Sequence, residues 1–126
     1  MSRRALVLFA HGARDPAWAE PFQRLQKLVQ AQRPDVVVRL AFLELMQPSL
    51  PGLVDELVAG GCFDVTVVPV FLGQGGHVRR DLPVLVEQLR SRHAGLVLHV
   101  AEAAGENAEV LAAIASYCIS ALSLTA

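Results

Sequence analysis

Four short apolar runs recur along the chain: Leu6 to Ala10, Val36 to Phe42, Val65 to Phe71 and Leu96 to Val100. Each is nearly continuous in Val, Leu, Ala and Phe, with little polar alternation. That pattern suits strands covered on both faces, as in a parallel sheet. Between the runs, apolar residues return at helical spacing. Asp15-Pro16 reads as an N-cap with proline at the first helical position, and Phe22, Leu25, Leu28 and Val29 follow until Arg33-Pro34 ends the pattern. Ser49 can cap a second helix that carries Leu53, Val54, Leu57 and Val58 and stops at Gly60-Gly61. Asp81 can cap a third, with Leu82, Leu85, Val86 and Leu89 on one face. Asn107 opens a last helix, in which Val110, Leu111, Ile114, Tyr117 and Cys118 are expected to bury. Strand and helix alternating with connections of this length imply right-handed crossovers. The expected fold is α/β: a four-stranded parallel sheet, doubly wound, with helices on both faces.

Length keeps this to one domain, spanning 1–126, because 126 residues match a single ordinary core. With 53% apolar and 18% charged residues, the chain is too hydrophobic for intrinsic disorder. A formal net charge of −1 argues against a nucleic-acid partner, which needs a broad basic surface. Cys62 and Cys118 lie far apart with no CxxC spacing, so they read as buried thiols in a reducing compartment. The start, Met1-Ser2-Arg3-Arg4 before an apolar stretch, imitates a signal peptide but runs directly into His11-Gly12-Ala13-Arg14-Asp15. No run approaches the ~20 residues of a membrane span. The expectation is a cytoplasmic protein with no membrane partner.

In doubly wound sheets, ligands bind beyond the carboxyl ends of the strands, near the point where strand order reverses. The polar residues there are therefore the informative ones. His11-Gly12-Ala13-Arg14 follows the first run, Glu44 the second, and Gly73-Gln74-Gly75-Gly76-His77-Val78-Arg79-Arg80 the third. Imidazole and carboxylate together form a ligand set for a divalent transition metal. They equally form a set for proton transfer near neutral pH, since histidine titrates around ~6.5. Each has a plainer role open to it: His11 can hydrogen-bond its own turn, and Glu44 can cap the next helix. His93 suits the helix-terminal carbonyls, and His99, inside an apolar strand, suits a structural place. The glycine loop lacks the Lys-Ser/Thr of a P-loop, and no GxGxxG follows the first strand, so no nucleotide is expected. Glycines do permit close approach of backbone to a large flat ligand. Arg14, Arg79 and Arg80 beside the histidines suit a polycarboxylate.

Two segments carry a family resemblance. Leu8-Phe9-Ala10-His11-Gly12-Ala13-Arg14-Asp15-Pro16 and the stretch from Val68 to Pro83 resemble the signature segments of class II tetrapyrrole chelatases. More closely, the chain is similar to the short-form sirohydrochlorin cobaltochelatase and ferrochelatase group. Phe42-Leu43-Glu44 followed by Pro48-Ser49-Leu50 resembles that family's second-strand exit. Ala13 stands where relatives often have serine. The resemblance implies a single chelatase-like lobe and the insertion of a divalent metal into sirohydrochlorin without nucleotide. The metal would be Co2+ or Fe2+, with Ni2+ a further candidate, in cobalamin or siroheme biosynthesis. It implies His11, Glu44 and His77 as catalytic residues, and His11 and His77 as metal ligands. Arg14, Gly75, Gly76 and Arg79 would then meet the tetrapyrrole, which carries eight carboxylates. A single lobe offers one wall for a flat ligand, so a homodimer with the cleft between subunits is expected. Two rivals stand beside this reading. One is a carrier that binds metal or tetrapyrrole without turnover. The other is a histidine phosphatase, though the arginine expected before that histidine is Ala10 here.

Overall fold

In the computed structural model, which describes residues 3–124 apart from the His77 side chain, the four apolar runs are parallel strands. They are β1 (Arg4–Ala10), β2 (Val37–Phe42), β3 (Asp64–Pro69) and β4 (Val97–Val100), in the order β2-β1-β3-β4. The order reverses between β1 and β3. Right-handed crossovers then place the connecting helices on opposite faces. α1 (Glu20–Gln32) packs on one face, where Leu8, Ala10, Val38, Leu40 and Phe42 meet Phe22, Leu25 and Val29. α2 (Leu50–Ala59) and α3 (Gly76–Arg92) cover the other, where Val7, Phe9, Val65 and Val67 meet Leu53, Val54, Val86 and Leu89. Each fully buried Val, Leu or Phe among them contributes about 1.5–3 kcal/mol, and the half-buried Phe22, Leu25 and Val29 of α1 less.

The caps act as read from the sequence at three of four helices. Asp15 Oδ1 accepts from the Ala17 N–H, although the first turn, Pro16–Ala19, is a 3-10 turn ahead of α1. Ser49 Oγ accepts from the Gly52 N–H, and Asn107 Oδ1 accepts from those of Glu109 and Val110. α3 departs from expectation. It starts at Gly76 with Gly75 as N-cap, so Asp81 lies inside the helix. The reason is Val78, buried four residues before Leu82, which extends the apolar stripe back by one turn. On α1, Leu28 is 62% exposed, because it lies about 100° off the stripe of Phe22, Leu25 and Val29. From the same helix Gln26 and Gln30 reach the sheet. Gln26 Nε2 donates to the Val38 carbonyl at 2.8 Å. Gln30 Nε2 donates to the Val36 carbonyl at 2.7 Å, and its Oε1 accepts from the Val38 N–H at 3.1 Å.

α4 (Ala108–Ser120) overturns a larger expectation. Val110, Leu111, Ile114, Tyr117 and Cys118 are exposed, and no residue of this helix is buried. Apolar composition alone suggested burial, but the helix leaves the sheet after Asn107 and continues into a 3-10 turn, Ala121–Leu124. Cys62 is buried as expected and Cys118 is not. On the α1 side of the sheet, β3 and β4 correspondingly present Thr66, Val68, Val97 and His99 only partly covered or exposed. His99 is thus not a buried structural histidine; its Nε2 lies 3.7 Å from Asp64 Oδ1.

His93 also differs from its expected role. Instead of meeting helix-terminal carbonyls through its ring, it pairs Nε2 with Asp55 Oδ1 at 2.6 Å, and Arg92 joins the same carboxylate at 2.8 Å. These contacts tie the end of α3 to α2. The His93 hydrogen bond, and then the Arg92 charge, hold the Asp55 carboxyl below its ordinary value of 3.8. A depressed folded-state value means stabilisation that is present above about pH 4 and lost as pH falls through the folded value. Asp55→Asn is therefore expected to lower the Tm at neutral pH and flatten the acid limb of a Tm-against-pH profile below about pH 4. An unchanged acid limb would refute this role for Asp55.

Candidate active site

Two main-chain hydrogen bonds carry on past the ends of β1 and β2. The Leu43 N–H donates to the Ala10 carbonyl at 2.9 Å, and the Glu44 N–H donates to the His11 carbonyl at 3.1 Å, a step out of the strand register. The second bond brings Glu44 beside His11. Their side chains meet, His11 Nε2 to Glu44 Oε1, at 3.0 Å, and each is about half exposed (50% and 52%). An exposed pair of this kind adds at most about 1 kcal/mol of stability. Its value is orientation. An ionised carboxylate only accepts, so facing one a neutral imidazole would donate from Nε2 and keep its lone pair on Nδ1. A carboxylate behind an imidazole is the arrangement that fixes tautomer and raises basicity at metal-binding histidines.

The other side of His11 faces Phe71, edge to face, with ring centroids 6.4 Å apart. Phe71 is buried and packs in turn on Phe9 at 5.8 Å. The ring is thus braced from the core.

Two main-chain features tighten the turn. Gly12 has φ +99°, and a Cβ there would overlap the Glu44 carbonyl oxygen. Leu45 has φ 66°, and the Met46 N–H donates back to the Glu44 carbonyl at 2.8 Å, which closes a γ-type turn. For a non-glycine residue this backbone costs about 1–3 kcal/mol.

The β3 exit supplies the second half of the edge. Its loop runs Leu72-Gly73-Gln74-Gly75, and α3 begins at Gly76. The Gly105 N–H donates to the Phe71 carbonyl at 2.8 Å, and the absent Cβ of Gly105 leaves room for the Leu72 main chain. The turn after β4 therefore holds the base of the glycine loop. Gly75, Gly76 and Arg79 are exposed there. His77 is the second residue of α3, and its side chain lies outside the described residues. Arg14 borders a depression of about 330 Å³ next to the His11 turn, shared with Ala13, Pro16, Leu45 and Met46.

Among the described residues, then, direct contact joins His11 and Glu44, while Arg14 and Gly75 lie on the loops that follow β1 and β3 and Gly76 and Arg79 on the first turn of α3. No third His, Cys, Asp or Glu joins the pair among the described residues. Glu102, at the β4 exit, accepts from Asn107 Nδ2 at 2.9 Å. Sequence reasoning passed over Phe71 as a brace, and Gly12 and Leu45 as shapers of the turn. Gly12 stood in a quoted motif, but a positive φ at Leu45 leaves no mark in composition or periodicity.

Topology and edge together give a doubly wound α/β lobe with an imidazole–carboxylate pair where the neighbouring strands β1 and β2 end. The chain belongs to the CbiX family, which matches residues 5–120. A CbiX protein of known structure from Marinobacter aquaeolei VT8, associated with cobalamin (vitamin B12) biosynthesis, is 32% identical. It superposes with a TM-score of 0.85, covering 97% of this chain and 99% of that one. The sirohydrochlorin cobaltochelatase of Methanocaldococcus jannaschii is 34% identical over 89 residues, 71% of this chain and 62% of the relative. That of Methanococcus aeolicus is 31% identical over 82 residues, 65% of this chain and 57% of the relative. The matches thus span a little over half the length of these curated relatives. The sirohydrochlorin chelatase SirB of Bacillus subtilis subspecies spizizenii, solved in complex with cobalt, shares the fold at 23% identity. Its TM-score is 0.76, over 92% of this chain and 49% of that one.

Proposed function

We propose that this chain inserts a divalent metal into sirohydrochlorin, without nucleotide, acting as one chelatase lobe folded as a single domain. The observation that carries the reading is the His11–Glu44 pair, 3.0 Å apart at the carboxyl ends of neighbouring strands in a CbiX-family chain. The relatives named as sirohydrochlorin cobaltochelatases support the substrate, and the cobalt complex of SirB supports the metal class. Co2+ and Fe2+ are the primary metal substrates proposed, with Ni2+ a third.

The reaction balances simply. Two pyrrole N–H bonds break, two metal–nitrogen bonds replace them, the other two ring nitrogens donate lone pairs, and two protons leave. His11, with its Nε2–H held by Glu44, offers Nδ1 as metal ligand on arrival and proton acceptor on transfer. Glu44 then stabilises the imidazolium that forms. His77 is the second ligand and base. Arg14 and Arg79 pair with the peripheral carboxylates, and Gly75 and Gly76 let the macrocycle approach the main chain.

The working unit in this reading is a cytoplasmic homodimer. Two unpartnered surfaces within one chain support it: the apolar α4, and the incompletely covered strip of Thr66, Val68, Val97 and His99. A helix from a second copy laid on that strip satisfies both surfaces twice over, as two-fold pairing requires. It also gives the flat substrate a second wall.

The test is anaerobic spectroscopy of sirohydrochlorin with Co2+ or Fe2+ and purified protein. The expected result is multiple turnovers with no nucleotide added. Strict dependence on added nucleotide would sink the assignment, and stoichiometric binding of both ligands without turnover would make the protein a carrier.

A further inference from the structure

We propose that Gly12 and Leu45 are positioning residues that act through Glu44, locking its main chain so that its carboxylate meets His11. The proposal rests on the chelatase reading only for the use made of the pair; the lock itself is geometric. Every polar main-chain group of Glu44 is engaged. Its N–H donates to the His11 carbonyl at 3.1 Å, and its carbonyl accepts from the Met46 N–H at 2.8 Å. The same carbonyl oxygen fills the place that a Cβ on Gly12 would take. Gly12 is buried with φ +99°, so L side chains are excluded both by conformation and by contact.

Leu45 is the less expected half. Non-glycine residues rarely adopt φ 66°, and asparagine or glycine is the usual choice there. Leu45 is 58% exposed, so burial of its side chain does not account for the strain. What the conformation achieves is the reversal that returns the Met46 N–H to the Glu44 carbonyl. Without it the chain leaving β2 would run on, and the carboxylate would lose its fixed origin. Strained backbone next to reactive groups is where such orientation is commonly held. The competing role for Leu45 is direct: its exposed side chain borders the depression beside Arg14 and could touch substrate.

The two roles call for opposite substitutions. Glycine keeps the positive φ and discards the side chain, whereas Leu45→Val keeps an apolar side chain but resists that backbone. Co2+ alone is the probe, titrated by calorimetry and by visible absorption into the full chain. Glu44→Ala is expected to weaken Co2+ binding about 10–100-fold, the usual cost of losing the partner behind a metal-binding histidine. Gly12→Ala and Leu45→Val should weaken it comparably, while Leu45→Gly should stay within a few-fold of the parent. The double variant Gly12→Ala/Glu44→Ala should bind no worse than Glu44→Ala, since both changes remove one interaction.

A second readout needs no metal. At a pH where imidazole is neutral, the His11 ring 15N shifts should move in the same direction in Glu44→Ala, Gly12→Ala and Leu45→Val, and stay in place in Leu45→Gly. Equal losses in Leu45→Gly and Leu45→Val would overturn the proposal in favour of a contact role. So would additive losses in the double variant, or a Gly12→Ala chain that behaves as the parent. Should Gly12→Ala fail to fold, the Leu45 pair decides. A parent chain that binds no Co2+ would strike the chelatase reading, and the ring shifts would still decide the positioning.

Discussion

In the proposed reaction, replacing His11 or His77 by alanine is expected to lower the rate of sirohydrochlorin metallation by at least ~100-fold while the fold survives. Loss of a positioned proton acceptor alone costs ~10²–10⁴-fold, and loss of a metal ligand adds to it. For His11 the fold should tolerate the change. The ring is half exposed, lies beyond β1, and makes a pair with Glu44 that is too exposed to matter for stability. Phe71 keeps its packing on Phe9 when the imidazole is gone. His77 sits on the first turn of α3, which is anchored by Val78, Leu82, Val86 and Leu89, so truncation at position 77 leaves the helix its buried face. His99→Gln provides the contrast. His99 lies within β4, two strands away from β1, and its replacement should change the rate far less. The check is initial rates with Co2+, paired with far-UV circular dichroism and Tm. A His77→Ala protein at near-parent rates would remove the glycine loop from the mechanism.

The second large effect concerns α4. If the proposed homodimer forms through α4, Ile114→Asp is expected to convert it to monomer at assay concentration and to remove most of the activity with it. Ile114 stands at the middle of a stripe with Val110 and Tyr117, four residues after one and three before the other. In a two-fold interface the substitution occurs twice. At ~2 kcal/mol for a central apolar contact in each copy, the two changes raise the dissociation constant about a thousandfold. Because Ile114 is exposed in the single chain, the folded monomer should lose little stability. Sedimentation equilibrium and activity measured on the same samples provide the test. A fully active monomer, parent or variant, would dispose of the shared cleft.

The contrast between α3 and α4 explains how far the sequence could be read. Nearly continuous apolar runs revealed all four strands, because strands covered on both faces leave an unambiguous signal. The stripe on α3 was legible from Leu82 onward, but a glycine-rich start concealed its first turn. For α4 the apolar stripe correctly announced a helix and wrongly announced its burial. Periodicity reports that a face needs a partner and is silent on which chain supplies it. The site followed the same rule. His11 and Glu44 were legible because topology sends polar residues at strand ends to one edge. Leu45 was not, since its positive φ belongs to the turn that returns the Met46 N–H to the Glu44 carbonyl and not to its own residue type.

The two glutamines of α1 have one more consequence. Val36 and Val38 lie along the outer margin of the sheet, and their outward carbonyls, together with the Val38 N–H, are taken by Gln26 and Gln30. A strand from another molecule arriving at β2 finds those hydrogen-bonding groups occupied, so this margin resists continuation into a larger sheet or a fibril. Strand addition, the route by which exposed sheet margins aggregate, is thereby opposed along β2.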